Sequence, residues 1–324
     1  MTRPTRSPSD EPPPTRLQPR KHTDRRRSIL AAVAGIVCWI APGFMLGGCG
    51  IGPTMPADSP HRTDTASSVD THLLIRKAAD HEALFTLAGG LKPMSSGFWR
   101  GSFEVDDPDL DEIIEVRQAL AVLRNDAWHA DIQVFAKAHD GRSSAHAFVV
   151  HRAALARMIR RHESFWSPWG ITPDTHPNEI VAVVDRMPRS DRWRGHGYLY
   201  GYPDDAVDFF VEAGLAADDG REVGPEKDRE FIDRPTHAAE SGHFTYAVPL
   251  GHVPTMTDRM LADHAELILE AYTRRRPRMV DAPSTIAELL RLNSRFEPLA
   301  DQGSVAASSS AMTLSPLNLS FFRP

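Results

Sequence analysis

From residue 70 onward the apolar residues recur at two spacings. Leu74, Ala78, Phe85 and Ala88 predict a helix over 71–88, closed by Gly89-Gly90. Ile113, Val116, Leu120 and Leu123 step by three, four and three, and Asp107-Pro108 supplies a cap and first residue for that helix. Leu155, Met158 and Ile159 predict an inward face over 152–162, with Arg157, Arg160 and Arg161 outward. Further helices are expected at 178–186, from Pro203 to Gly214, from the capping box Thr255-x-x-Asp258 through Leu261, Ala265, Ile268 and Tyr272, and at 284–293. Alternation with period two predicts five strands: 98–105, 128–136, 145–150, 195–202 and 243–250. The second and third flank the turn His139-Asp140-Gly141-Arg142. Residues 217–241 are charged and read as a surface excursion, and 301–324 as a loosely ordered tail.

Strands and helices are interspersed without regular strand–helix–strand units. The expected class is therefore α+β (or mixed α/β), a single domain over 70–300 with about five strands flanked by helices.

The pattern before residue 70 differs. Residues 1–24 are rich in Pro, Arg, Ser and Thr with no apolar period and read as a disordered leader. Arg25 to Cys49 then runs from a basic cluster, through an uncharged apolar stretch from Ile29 to Leu46, to small residues. That is the order of an export signal, 25–48. Leu46-Gly47-Gly48-Cys49 resembles the lipobox of bacterial lipoproteins. The resemblance implies cleavage before Cys49 and a palmitate-type acyl anchor on its sulfur. Arg26-Arg27-Ser28-Ile29-Leu30 is similar to the twin-arginine export motif, although Arg25 stands where Ser or Thr is usual. Gly50 after the cysteine, rather than Asp, implies the outer membrane in a two-membrane organism. An uncleaved span is the competing reading, weakened by Gly35, Pro42, Gly43, Gly47 and Gly48. Residues 49–69 read as the lipidated cysteine and a polar tether of roughly 25 Å reach.

Cleavage changes the charge. The full chain carries 37 basic and 43 acidic residues; removal of 1–48 takes eight and three of these, leaving 29 against 40, a net of −11. That balance excludes nucleic acid as the expected partner and leaves the acyl chains as the membrane attachment. Cys38 and Cys49 are the two cysteines, so the part beyond the anchor has no thiol. Disulfides, cysteine-ligated metals and cysteine nucleophiles are thereby excluded from the domain.

Candidate chemistry is sparse. The sequence holds no G-x-S-x-G, H-E-x-x-H, Walker or G-x-G-x-x-G pattern. On the expected strand 195–202, His196, Tyr198, Tyr200 and Tyr202 share a face, with Arg194 at its mouth: a candidate ligand-binding strip, or a core strand with tyrosine hydroxyls at the surface. His129 and Asp131 share a face of the 128–136 strand and are the candidate metal ligands, with His146, His151, His243, His252 and His264 elsewhere. Trp166 and Trp169, with Trp99 and Trp193, are candidates for stacking on sugars or for the core. Ser95-Ser96 supplies hydroxyls with no base assigned. No cofactor is predicted, and a divalent metal remains open. Two functions follow: an exported, envelope lipoprotein facing the periplasm or exterior that binds a small molecule, glycan or protein, or a hydrolase built on His, Asp and Glu.

Overall fold

The computed structural model describes residues 69–218, 229–239 and 244–309, with side chains through 216 in the first stretch and 297 in the last. The expected leader, signal, lipid site and most of the tether lie outside the described residues.

The elements run α1 (Thr71–Asp80), α2 (Leu84–Leu87), β1 (Met94–Glu104), α3 (Asp111–Ala119), β2 (Trp128–Val134), β3 (Arg142–His151), α4 (Arg152–Arg161), α5 (Glu163–Trp166), α6 (Pro177–Arg186), α7 (Arg189–Leu199), α8 (Asp204–Asp218), β4 (Arg229–Arg234), β5 (Phe244–Pro249), α9 (Met256–Arg275) and α10 (Ala282–Ser309). The class is α+β. β1, β3 and β2 form an antiparallel sheet in that order, and β4 pairs antiparallel with β5.

The three-stranded sheet is covered on both faces. Trp128, Ala130 and Ile132 of β2, with Ala145, Ala147 and Val149 of β3, enter a core with residues of α1, α2, α3, α9 and α10. Phe148 and Val150 enter a second core with Met94, Leu155, Trp166, Val181, Val184 and Leu199. Period-two alternation thus serves two apolar layers rather than one layer and solvent. Two carboxylates, the half-buried Asp80 and the buried Asp258, tie the helices down. Asp80 pairs with Arg276 and accepts from the Tyr272 hydroxyl, linking α1 to the end of α9. Asp258 closes the capping box with Thr255 and accepts from Tyr246 and His252, fixing the start of α9 against β5.

Four elements depart from the sequence-based expectation. The helix expected over 71–88 breaks at His81, whose backbone is extended, and resumes as α2. The charged stretch Arg229–Arg234, read as a surface excursion, forms strand β4 because β5 offers it a pairing edge. The largest difference is at 195–202, expected as a strand and found within α7 and the turn that follows it. The glycines explain it. A Cβ on Gly195 would sit 3.3 Å from Val184 of α6, and one on Gly197 would sit 2.6 Å from Val207 of α8. α7 packs on both neighbours through bare backbone and has no need of an apolar stripe. At the other end of the chain, the helix expected over 284–293 runs on through Ser309.

Candidate functional site

The register of the three-stranded sheet stacks its side chains in rows. On the face turned toward α6 and α7 the rows are Met94–Val150–His129, Ser96–Phe148–Asp131 and Arg100–His146–Gln133. The first row is mainly apolar and the last entirely polar. Between Ser96 and Arg100 the register slips: β1 places Gly97, Phe98 and Trp99 against the single Ala147 of β3. Such a bulge re-aims the side chains that flank it. Gly97 sits at φ +85°, a region open to glycine, and the Arg100 guanidinium lies 3.2 Å from where a Cβ at position 97 would stand. Arg100 is therefore folded back over the bulge, is exposed, and has no hydrogen-bond or ion-pair partner among the described residues.

α7 contributes the opposing wall. His196 and Tyr200 lie four residues apart, one helical turn, and their rings stack at 5.7 Å and 19°. The Tyr200 hydroxyl is 2.9 Å from Ser96 Oγ. Lys92 Nζ stands 5.5 Å from the Tyr200 ring and 4.8 Å from Phe244 and pairs with Glu82 at 3.0 Å. Tyr202 follows at 5.9 Å from Tyr200. Two buried polar atoms of this region have no hydrogen-bond partner among the described residues: Gln133 Nε2, on a residue only 6% exposed, and His196 Nδ1.

Burial sets the charge state of the group. It pushes the Tyr200 phenol up to about 12, against a weaker opposing effect of the Ser96 hydrogen bond. Tyr202 is raised well above its ordinary value by the same cause. Burial drives His196 down to about 4, with the Arg192 charge acting the same way. His146 also falls to about 4, through burial and the neighbouring Arg100. At neutral pH the site presents uncharged hydroxyls, imidazoles and an amide beside the Lys92–Glu82 ion pair and the Arg100 guanidinium, which has no partner among the described residues.

The five residues expected as one strip are divided by helical geometry. His196 and Tyr200 face the sheet, with Tyr202 next to them. Arg194 and Tyr198 form their own one-turn pair elsewhere: the Arg194 guanidinium donates to the Tyr198 hydroxyl at 3.2 Å and pairs with Asp208, while the Tyr198 ring stacks on His162 at 3.8 Å. Residues that alternate on a strand lie about 200° apart on a helix, so Tyr198 cannot join Tyr200.

His129 and Asp131 do share a face of β2, but Asn178 of α6 stands between them. Its Oδ1 accepts from His129 Nε2 at 2.7 Å, and its Nδ2 donates to Asp131 Oδ2 at 2.8 Å. Asp131 also accepts from Arg117 and from the Ile132 amide and pairs with Arg124. Burial alone would raise its pKa, yet these bonds and charges together hold the carboxyl below its ordinary value. The carboxylate is saturated, and the arrangement locks α3 and α6 onto β2. Among the described residues no group of three or more His, Cys, Asp or Glu is placed to hold a metal ion.

The other candidates are dispersed. Trp166 is fully buried and donates to Met158 Sδ, Trp193 packs on Gly214 and Phe210, and Trp99 covers Gly101. Ser95 is buried against Thr86 and the Glu82 carbonyl, which leaves Ser96 as the serine of the site. At the far end of β2, Arg124, Asn125, Asp126 and Arg152 line an open depression of about 410 Å³. Lys92, Glu82, Arg100 and Gln133 belong to the main site and were not singled out in the sequence. Two signals were available: Gly97 inside a strand pattern marks a bulge, and His129-x-Asp131-x-Gln133 is a polar repeat at strand spacing. No family model, curated protein or solved structure matches the chain.

Proposed function

We propose that the chain is an exported lipoprotein, anchored through Cys49, whose domain binds a small molecule at the Ser96–Arg100–Gln133–His196–Tyr200 site without transforming it. The anchor half of the reading rests on the order of basic, apolar and small residues before Cys49. The binding half rests on one observation: the buried Gln133 Nε2 has no hydrogen-bond partner among the described residues, and it lies in the same sheet row as the exposed Arg100. Lys92, the buried cation of the site, is committed to Glu82 and to two aromatic faces.

Native mass spectrometry of the full chain taken from membranes tests the binding half. A small-molecule adduct is expected on the wild type and not on Gln133→Leu or Ser96→Val chains that remain folded by circular dichroism. An adduct-free wild type, or a recovered molecule chemically altered by its stay on the protein, contradicts the reading.

A further inference from the structure

The row Arg100–His146–Gln133 crosses all three strands, so its Cα atoms span two strand spacings, about 10 Å. Its two ends are both hydrogen-bond donors without partners among the described residues. Arg100 carries a free guanidinium at the solvent side, and Gln133 carries a buried amide nitrogen with nothing to donate to. An unpaired buried donor of this kind costs about 1–3 kcal/mol, and a fold retains it at little net loss when a ligand acceptor completes it. The half-buried Phe135 ring stands edge-on to His146 at 4.8 Å, and the Tyr200 ring flanks the row from the α7 side through its hydroxyl on Ser96. Donors at the row and rings beside it call for a ligand with an acceptor head and a flat or apolar body.

We infer that this row is the recognition site for a small monocarboxylate, its carboxylate on Arg100 and the Gln133 amide and its body against Phe135 and Tyr200. This names the ligand class of the site proposed above and rests on that reading. Two observations favour one carboxylate over a phosphate. Among the described residues Arg100 is the cation of the site with no hydrogen-bond or ion-pair partner, since Lys92 pairs with Glu82 and Arg192 donates to the Asp185 carbonyl. The domain beyond Cys49 carries a net charge of −11, which opposes a dianion. The depression at Arg124 and Arg152 is a poorer seat. Arg152 Nε is held by the carbonyls of Asn125 and Trp128, Arg124 Nε by that of Ala130, and Asp126 lines the same surface.

The test is a titration of the full chain with sodium benzoate and, separately, with benzamide, its neutral isostere, followed by calorimetry and by the ring signals of His146 and His196. Benzoate is expected to bind at least tenfold more tightly than benzamide and to move both histidine signals. Arg100→Gln, at an exposed position, is expected to abolish that preference. The near-isosteric Gln133→Met, checked for folding, is expected to weaken benzoate, and Arg152→Gln to leave it as in the wild type. Equal binding of the two probes with no dependence on Arg100 overturns the carboxylate inference and leaves the binding reading standing. Loss of benzoate binding in Arg152→Gln but not in Arg100→Gln moves the site and also overturns the inference. If neither probe binds or moves His146 or His196, the inference falls, and the binding reading then stands or falls on the adduct found by native mass spectrometry.

Discussion

His196 links the fold to the site at the level of one residue. Its ring stacks on Tyr200, its Nδ1 is buried without a partner, and its pKa falls from 6.5 to about 4. The folded pKa lies below the unfolded one, so the unfolded chain binds the proton more tightly. The contribution is complete above pH 6.5 and is lost as pH falls toward about 4, up to roughly 3 kcal/mol at 1.36 kcal/mol per unit. Urea unfolding at pH 7 and pH 4.5 is expected to show this loss in the wild type and a smaller one in His196→Phe, which keeps the stacking. An equal pH dependence in the two proteins contradicts the assignment. Lys92 gives a second residue-scale test. Its side chain is 1% exposed and its partner Glu82 is 21% exposed. Removing one member of such a pair strands the other. Lys92→Met is expected to cost about 3 kcal/mol in urea denaturation, and Lys92→Met with Glu82→Gln to regain more than half of that. Additive losses in the two single variants and the double variant contradict the coupling.

At the scale of elements, the amphipathic helices and the hairpin of β2 and β3 were legible because their buried faces are made of apolar side chains. Leu155, Met158 and Ile159 of α4, and Leu261, Ala265, Ile268 and Tyr272 of α9, lie buried as their spacing predicts. α7 was not legible, because its contacts are made by glycine backbone. His196, Tyr198, Tyr200 and Tyr202 alternate in sequence and so imitate a strand, whereas Gly195 and Gly197 mark where α6 and α8 press in. The site was legible in part for the same reason. His196, Tyr200 and Tyr202 were named as candidates on the wrong backbone, which separated them from Ser96 and joined them to Arg194 and Tyr198. β4 was missed because Arg229–Arg234 has little apolar content of its own and owes its form to β5. The glycine account is testable. Gly197→Ala places a methyl 2.6 Å from Val207 Cγ2, an overpacking expected to cost about 2 kcal/mol. Val207→Ala in the same chain is expected to recover part of it. A Gly197→Ala protein as stable as the wild type, since alanine has the higher helix propensity, contradicts the close-packing explanation. α7 also carries His196 and is capped by Tyr200, so the same substitution is expected to weaken benzoate binding.

At the scale of the whole molecule, an acidic domain is coupled in the sequence to a basic, apolar and then small-residue leader. Among the described residues no helix is long and apolar enough to cross a membrane. The net charge of −11 beyond residue 48 opposes an electrostatic hold on anionic lipid. If Cys49 is acylated as proposed, its acyl chains carry the membrane attachment. The most direct measurement is top-down mass spectrometry of the chain extracted from the membranes of the organism that produces it. A polypeptide that begins at Cys49 and carries a diacylglyceryl group on its sulfur is expected, with Cys49→Ala retained at full length. A wild-type chain that keeps residues 1–48, or one whose Cys49 thiol is free, contradicts the proposal.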